Sequence, residues 1–182
     1  GTEFRTLCQH GAGGKKLTVN ELQKCLIKEI EQITKEMSFL DCERNPASMK
    51  GYPQAIPIFS VFRETDSIDK EPLGEDSLFP YFVVRADSVE YQADDKDGQG
   101  NRVRIMIVFA VMDEDPDMNG YYTLTAAVER VIERFQRNQS LEAFWCSRRM
   151  NVAYQEDDTF PHFFAGIEMI WYIPEIEQEE MW

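Results

Sequence analysis

The 182-residue chain is short of histidine, with only His10 and His162, and short of positive charge, with 19 Lys and Arg against 33 Asp and Glu. The first shortage removes most imidazole chemistry. The second gives a formal net charge of -14 and a pI near 4.5, which argues against binding nucleic-acid phosphates or anionic membranes, because both depend on Lys and Arg. Long apolar runs are missing as well. The longest, Ile105–Met112, has eight residues, against roughly 20 for a membrane-spanning helix, so the chain reads as soluble. The four cysteines, Cys8, Cys25, Cys42 and Cys146, form no C-x-x-C pair, and reduced structural thiols in a cytoplasmic setting are expected. Neither G-x-x-x-x-G-K-[ST] nor G-x-G-x-x-G occurs, and Gly11-Ala12-Gly13-Gly14-Lys15-Lys16 lacks the preceding strand of a phosphate cradle.

What is present is material for one core. With 43% hydrophobic and 12% aromatic residues, a single domain of this size should bury about 70% of its unfolded surface. Residues 1–16 have neither an initiator Met nor an apolar h-region and read as a disordered arm or an expression remnant. Residues 17–174 read as one domain, and 175–182 as an acidic tail.

Within the domain, Thr18 with Glu21 forms a capping box, and Val19, Leu22, Leu26, Ile30, Ile33 and Met37 recur at helical spacing. Proline and glycine at 46–53 interrupt the chain, and Ile56–Phe62 reads as an edge strand, followed by a polar loop over 63–77. Phe82–Tyr91 and Arg102–Met112 read as a hairpin around Asp97-Gly98. In the second of these strands Val103, Ile105, Ile107 and Phe109 point inward and Arg102 and Arg104 outward, with the later half covered on both faces. A second helix is expected over Tyr122–Asn138, and closing strands over Arg148–Gln155 and His162–Ile173. Helix, three strands, helix, two strands predicts an α+β fold: a mostly antiparallel or mixed sheet of about five strands with two helices packed on it.

The candidate chemistry is thin. Asp115-Pro116-Asp117-Met118-Asn119-Gly120 matches the first half of a calcium loop, but position twelve is Ala126 and Glu129 comes three residues late. A turn whose Asp and Asn cap the following helix, with Gly120 supplying a permissive φ, is the preferred reading. A Cys146–His162 dyad is weighed against a partly buried structural imidazole, which is preferred. The acidic pairs, Asp94-Asp95, Asp113–Asp117 and Asp157-Asp158, all fall in turns, where solvent keeps both carboxylates ionised. Arg130, Arg134 and Arg137 alternate with Glu129 and Glu133 as an ion-paired helix face or a subunit contact. No catalytic residue, cofactor or metal is therefore assigned.

The last strand is more informative. Phe163, Ala165, Ile167, Met169 and Trp171 alternate with Phe164, Gly166, Glu168, Ile170 and Tyr172, leaving apolar groups on both faces. A partner subunit over the surplus face, at Phe160, Phe163, Phe164 and Trp171, is the simplest cover, and a sheet packed on both sides by the first helix and the long loops is the competing one.

From Phe79 to Ile173 the chain resembles the tail terminator and tail-completion proteins of long-tailed bacteriophages and prophages. The likeness rests on Phe79-Pro80-Tyr81-Phe82-Val83-Val84 entering a strand, the strand Val103–Met112, the Asp115–Gly120 turn with Tyr121-Tyr122, and the helix through Val128-Glu129-Arg130-Val131-Ile132. The 63–77 insertion and the acidic tail depart from the pattern. The resemblance implies a virion protein without catalysis, made in the host cytoplasm and placed at the head-tail junction. It would close the tail tube as a homo-oligomeric ring, typically of six copies, contacting the tail tube protein and the head-completion or connector protein. The charge balance adds an expectation that Asp94, Asp95, Asp97, Asp113, Asp115 and Asp117 line the channel without binding DNA, with plain solubility as the rival explanation. The alternatives from other classes are a carboxylate-based hydrolase, with or without calcium, and an acidic host-directed binding protein.

Overall fold

A computed structural model describes residues 17–58, 74–91, 100–175 and 179. The fold is α+β. Helix α1 (Val19–Thr34) and helix α2 (Asn119–Arg137) lie on one face of a six-stranded mixed sheet. The sheet order is β3 (Lys50–Pro53), β4 (Tyr81–Glu90), β5 (Asn101–Met112), β8 (His162–Ile173), β7 (Phe144–Tyr154), β6 (Ser140–Leu141). Only β3 and β4 run parallel; the other neighbours are antiparallel. A two-stranded ribbon, β1 (Phe39–Leu40) with β2 (Pro46–Ala47), follows α1.

Helix α1 forms because its apolar stripe repeats every three to four residues, and Leu22, Leu26 and Ile30 are fully buried. The Thr18 hydroxyl accepts from the Glu21 amide at 3.3 Å, making the expected cap. The helix stops at Thr34, whose hydroxyl donates back to the Ile30 carbonyl at 2.8 Å, so Met37 packs on the core from beyond the helix end. On α2, Leu124, Ala127, Val128, Val131 and Phe135 face the sheet. Arg134 joins the helices: its Nε donates to Glu29 of α1 at 2.7 Å, while its other nitrogens reach the carbonyls of Asn138 and Ser140. The expected Glu133–Arg137 pair is present at 2.5 Å.

Strands β5 and β8 form the centre. Val103, Ile105, Ile107 and Phe109 are fully buried under the helices, as their alternation predicts, while Arg102 and Arg104 face solvent. The later half of β5 is covered on its other face too. There Tyr81, Val83 and Ala110 form a second apolar cluster with Phe79, joined by Tyr52, Ile56, Leu78, Met112 and Phe164.

Three boundaries differ from the sequence expectation. Ile56 and Pro57 are not in a strand, and 59–62 lie outside the described residues; the edge strand forms earlier, at Lys50–Pro53. Gly51 makes that possible, since a Cβ there would sit 2.3 Å from the Phe82 ring and 2.8 Å from Ile27. Gln54, at φ 70°, then turns the chain away. Helix α2 begins three residues before the expected Tyr122, and β7 begins at Phe144, four residues before Arg148. The Asp97-Gly98 tip lies outside the described residues, although the two strands it was expected to join are antiparallel neighbours.

Candidate functional site

Four segments converge where β5 ends and β8 begins: the Asp113–Met118 turn, the first turns of α2, the end of β7, and the Gln155–Pro161 connection. The Asp113 amide ties the turn to the connection by donating to the Pro161 carbonyl at 2.9 Å. Asp113 and Asp115 each accept from the amide two residues on, at 3.0 Å, and the Asn119 side chain donates to Asp115. These carboxylates shape their own turn, as Asp and Asn do in Asx turns. The residue with positive φ is Met118, at 63°, not Gly120, and no side chain caps the helix. Gly120 serves closeness instead: a Cβ there would lie 2.7 Å from the Phe163 ring and 2.8 Å from Asp113 Cβ. Ala126, at the twelfth position of the half calcium motif, lies within α2 and brings no oxygen.

The structure separates the expected interface residues. Trp171 is fully buried, with its ring edge-on to Phe135 at 5.2 Å, and Phe163 is 9% exposed in the same core. Both are corrected from surface to interior, because the helix layer on their face is continuous. Phe164 packs edge-on to Phe79 at 6.0 Å, in the second apolar cluster. Part of the surplus apolar face is therefore covered by this chain's own 74–80 segment. Phe160 alone of the four is solvent-exposed, at 44%. Of the expected channel acids, Asp94, Asp95 and Asp97 lie outside the described residues, while Asp113, Asp115 and Asp117 form the turn just described.

Cys146 and His162 do not meet. Cys146 pairs in register with Trp171, nine residues from His162 along β8, a separation of about 30 Å at strand rise. Burial pushes the Cys146 thiol up to about 11, so it is held as an inert thiol. His162 is half-buried with its ring 5.1 Å from Phe79, and its Nε2 lies 2.8 Å from Asp76 Oδ1. It fastens the short helix Glu75–Leu78 to the end of β8, the structural role preferred from sequence.

Sequence reasoning missed a cavity of about 290 Å³ between the start of α2 and the β7–β8 connection. Met118, Tyr121, Tyr154, Phe160 and Phe163 supply its apolar wall, and Glu156, Asp157 and Asp158 its acidic one. The Tyr121 and Tyr154 rings are 6.2 Å apart and those of Phe160 and Phe163 6.1 Å apart, both edge-on. Burial, then Glu129 and Tyr121, raise the Tyr154 phenol above its ordinary range, keeping it neutral. Gln155 Nε2 donates to the Asp157 carbonyl at 2.7 Å and to the Thr159 hydroxyl, which fixes the amide's orientation. Its Oε1 is sealed from solvent with no donor among the described residues. Tyr121-Tyr122 and Glu156-Asp157-Asp158 were both visible in the sequence, but nothing local signals that they meet.

No family model matches the chain and no curated protein matches it. Among the described residues no helix is long and apolar enough to cross a membrane.

Proposed function

We propose that the chain is a structural virion subunit that closes the head-proximal end of a phage tail tube as a homo-oligomeric ring, typically of six copies, and docks there to the head connector. The observation that carries this reading is a sheet with two unlike, incompletely paired edges. At one end, β3 pairs only with Tyr81–Val84, and no described strand pairs with the outer edge of Asp87–Glu90. At the other, β6 pairs only with Phe144 and Trp145, and no described strand pairs with the outer edge of Arg149–Tyr154, whose inner edge is taken by β8. A head-to-tail contact needs two different complementary surfaces, and such contacts form a ring where the rotation between copies closes. Pairing the β4 edge of one copy with the β7 edge of the next satisfies both.

In that ring the turn bearing Asp113, Asp115 and Asp117 would face the conduit, where negative charge lets a polyanion pass without being held. Mass spectrometry and antibody labelling of purified virions test the reading. The protein should be found at the head-tail junction in a few copies. Its absence from virions overturns the proposal in favour of the host-directed alternative.

A further inference from the structure

We infer that the cavity between α2 and the β7–β8 connection is a docking pocket for an arginine side chain presented by a partner protein. Three properties of the pocket point to the same guest. The first is apolar exposure. Seven large apolar side chains are exposed among the described residues, and four of them (Met118, Tyr121, Tyr154 and Phe160) line this one cavity, with the Tyr122 ring edge-on to Tyr121 at 5.7 Å. A concentration of this kind on an otherwise charged surface marks an interaction site. The second is charge. Glu156, Asp157 and Asp158 have no Lys, Arg or His within ion-pair distance among the described residues, and Asp158 Oδ1 accepts from the Phe160 amide at 3.2 Å. The third is ring geometry. Tyr121, Tyr154 and Phe160 all line the same cavity, and its volume of about 290 Å³ is larger than an ammonium group needs.

A guanidinium is planar, stacks on aromatic faces, and donates from five N–H groups in a fixed fork. It thus meets the rings and two carboxylates at once, whereas a lysine ammonium is a compact, strongly hydrated charge that meets only the carboxylates. The rim speaks for a protein rather than a free metabolite. Met118, Tyr121 and Phe160 are each about two-fifths exposed and extend the apolar surface beyond the cavity, which suits a buried anchor ringed by water-excluding contacts. The chemistry of the pocket is the same whether or not the chain serves in a virion.

The test is an NMR titration of the full chain with Nα-acetyl-arginine amide, its neutral isostere Nα-acetyl-citrulline amide, and Nα-acetyl-lysine amide. The arginine probe should shift signals of Tyr121, Tyr154 and 155–160 and saturate in the millimolar range, binding more weakly as salt is added. The citrulline probe should not saturate, and the lysine probe should bind more weakly than arginine. In the shape-preserving double variant Glu156→Gln/Asp157→Asn, affinity for the arginine probe should fall at least about fivefold, and likewise in Phe160→Leu. Circular dichroism and melting temperature of both variants should stay at wild-type values. Equal binding of citrulline or lysine, unchanged affinity in the double variant, or shifts located elsewhere would each overturn the assignment.

Discussion

Along β8, the side chains that face the helices (Phe163, Ala165, Ile167, Met169 and Trp171) are all at most 9% exposed, whereas Phe164, Gly166, Glu168 and Ile170 on the reverse face are only partly covered. Both faces are apolar in sequence. The difference lies in what sits over them. On the helix side α1 and α2 form an unbroken layer with a single contiguous core. On the reverse side cover is local: Phe79 and Tyr81 shield Phe164, Trp145 stacks on Tyr172 at 4.4 Å, and between them Arg104 reaches Glu168 at 2.9 Å. Alternation therefore tells which residues share a face, and the packing layer decides how deeply that face is buried.

The largest test of this contrast is truncation on the helix side. Phe109→Ala or Trp171→Ala should each cost about 3 to 5 kcal/mol in denaturant unfolding, since both are fully buried. Equal losses for reverse-face truncations would break the comparison. A second test uses pH. The buried Cys146 thiol is raised from 9.0 to about 11, so the folded state holds a proton that the unfolded state releases. Its stabilising contribution is complete below pH 9 and is lost as pH rises towards 11, a fall of roughly 2 to 3 kcal/mol. Tyr81, on the reverse face, is raised by burial and by Glu75 from 10.0 to about 12 and adds a later fall over that window. Unfolding curves of wild type and Cys146→Ala should therefore converge between pH 9 and 11. If their difference stays constant, the thiol is not desolvated.

Smaller effects belong to the reverse face. Phe164→Ala should cost about 1 to 2 kcal/mol, because only part of its surface leaves water. Glu168→Gln should cost less than about 1 kcal/mol, the usual worth of a pair whose arginine is half-exposed. The smallest expected effect is none: millimolar calcium should leave the melting temperature unchanged, because Asp113 and Asp115 are engaged by their own turn amides. A rise that Asp115→Ala abolishes would show that the turn opens to take the ion.

The central strands were legible because their signal is local. Val103 to Phe109 alternates without interruption, and the α1 stripe keeps helical spacing throughout. Lys50-Gly51-Tyr52-Pro53 was not legible as a strand, since it has neither alternation nor β-branched residues and owes its place to the fit of Gly51 under Phe82. The early start of α2 was hidden because Met118 adopts a left-handed conformation and Asn119-Gly120 has turn composition. The cavity was the least legible feature. Tyr121 and Tyr154 sit on different elements and meet only because Gly120 lets the start of α2 close on Phe163, a contact that no periodicity records.

The glutamines along the sheet margins carry one more consequence. The Gln54 side chain accepts from the Ala86 amide at 3.1 Å and donates to its carbonyl at 3.3 Å, as a strand residue would. At the opposite margin Gln139 accepts from Cys146 N through its backbone and donates to Cys146 O through its side chain, and Gln136 donates to Arg148 O at 2.5 Å. These amides behave as protecting groups on reactive positions. An incoming strand that extended the pairing past Arg149 or Asp87 would displace them in an exchange, hydrogen bond for hydrogen bond, with little net driving force from any one site. In the proposed ring, edges guarded in this way would favour association through many contacts formed together over pairing at a first collision.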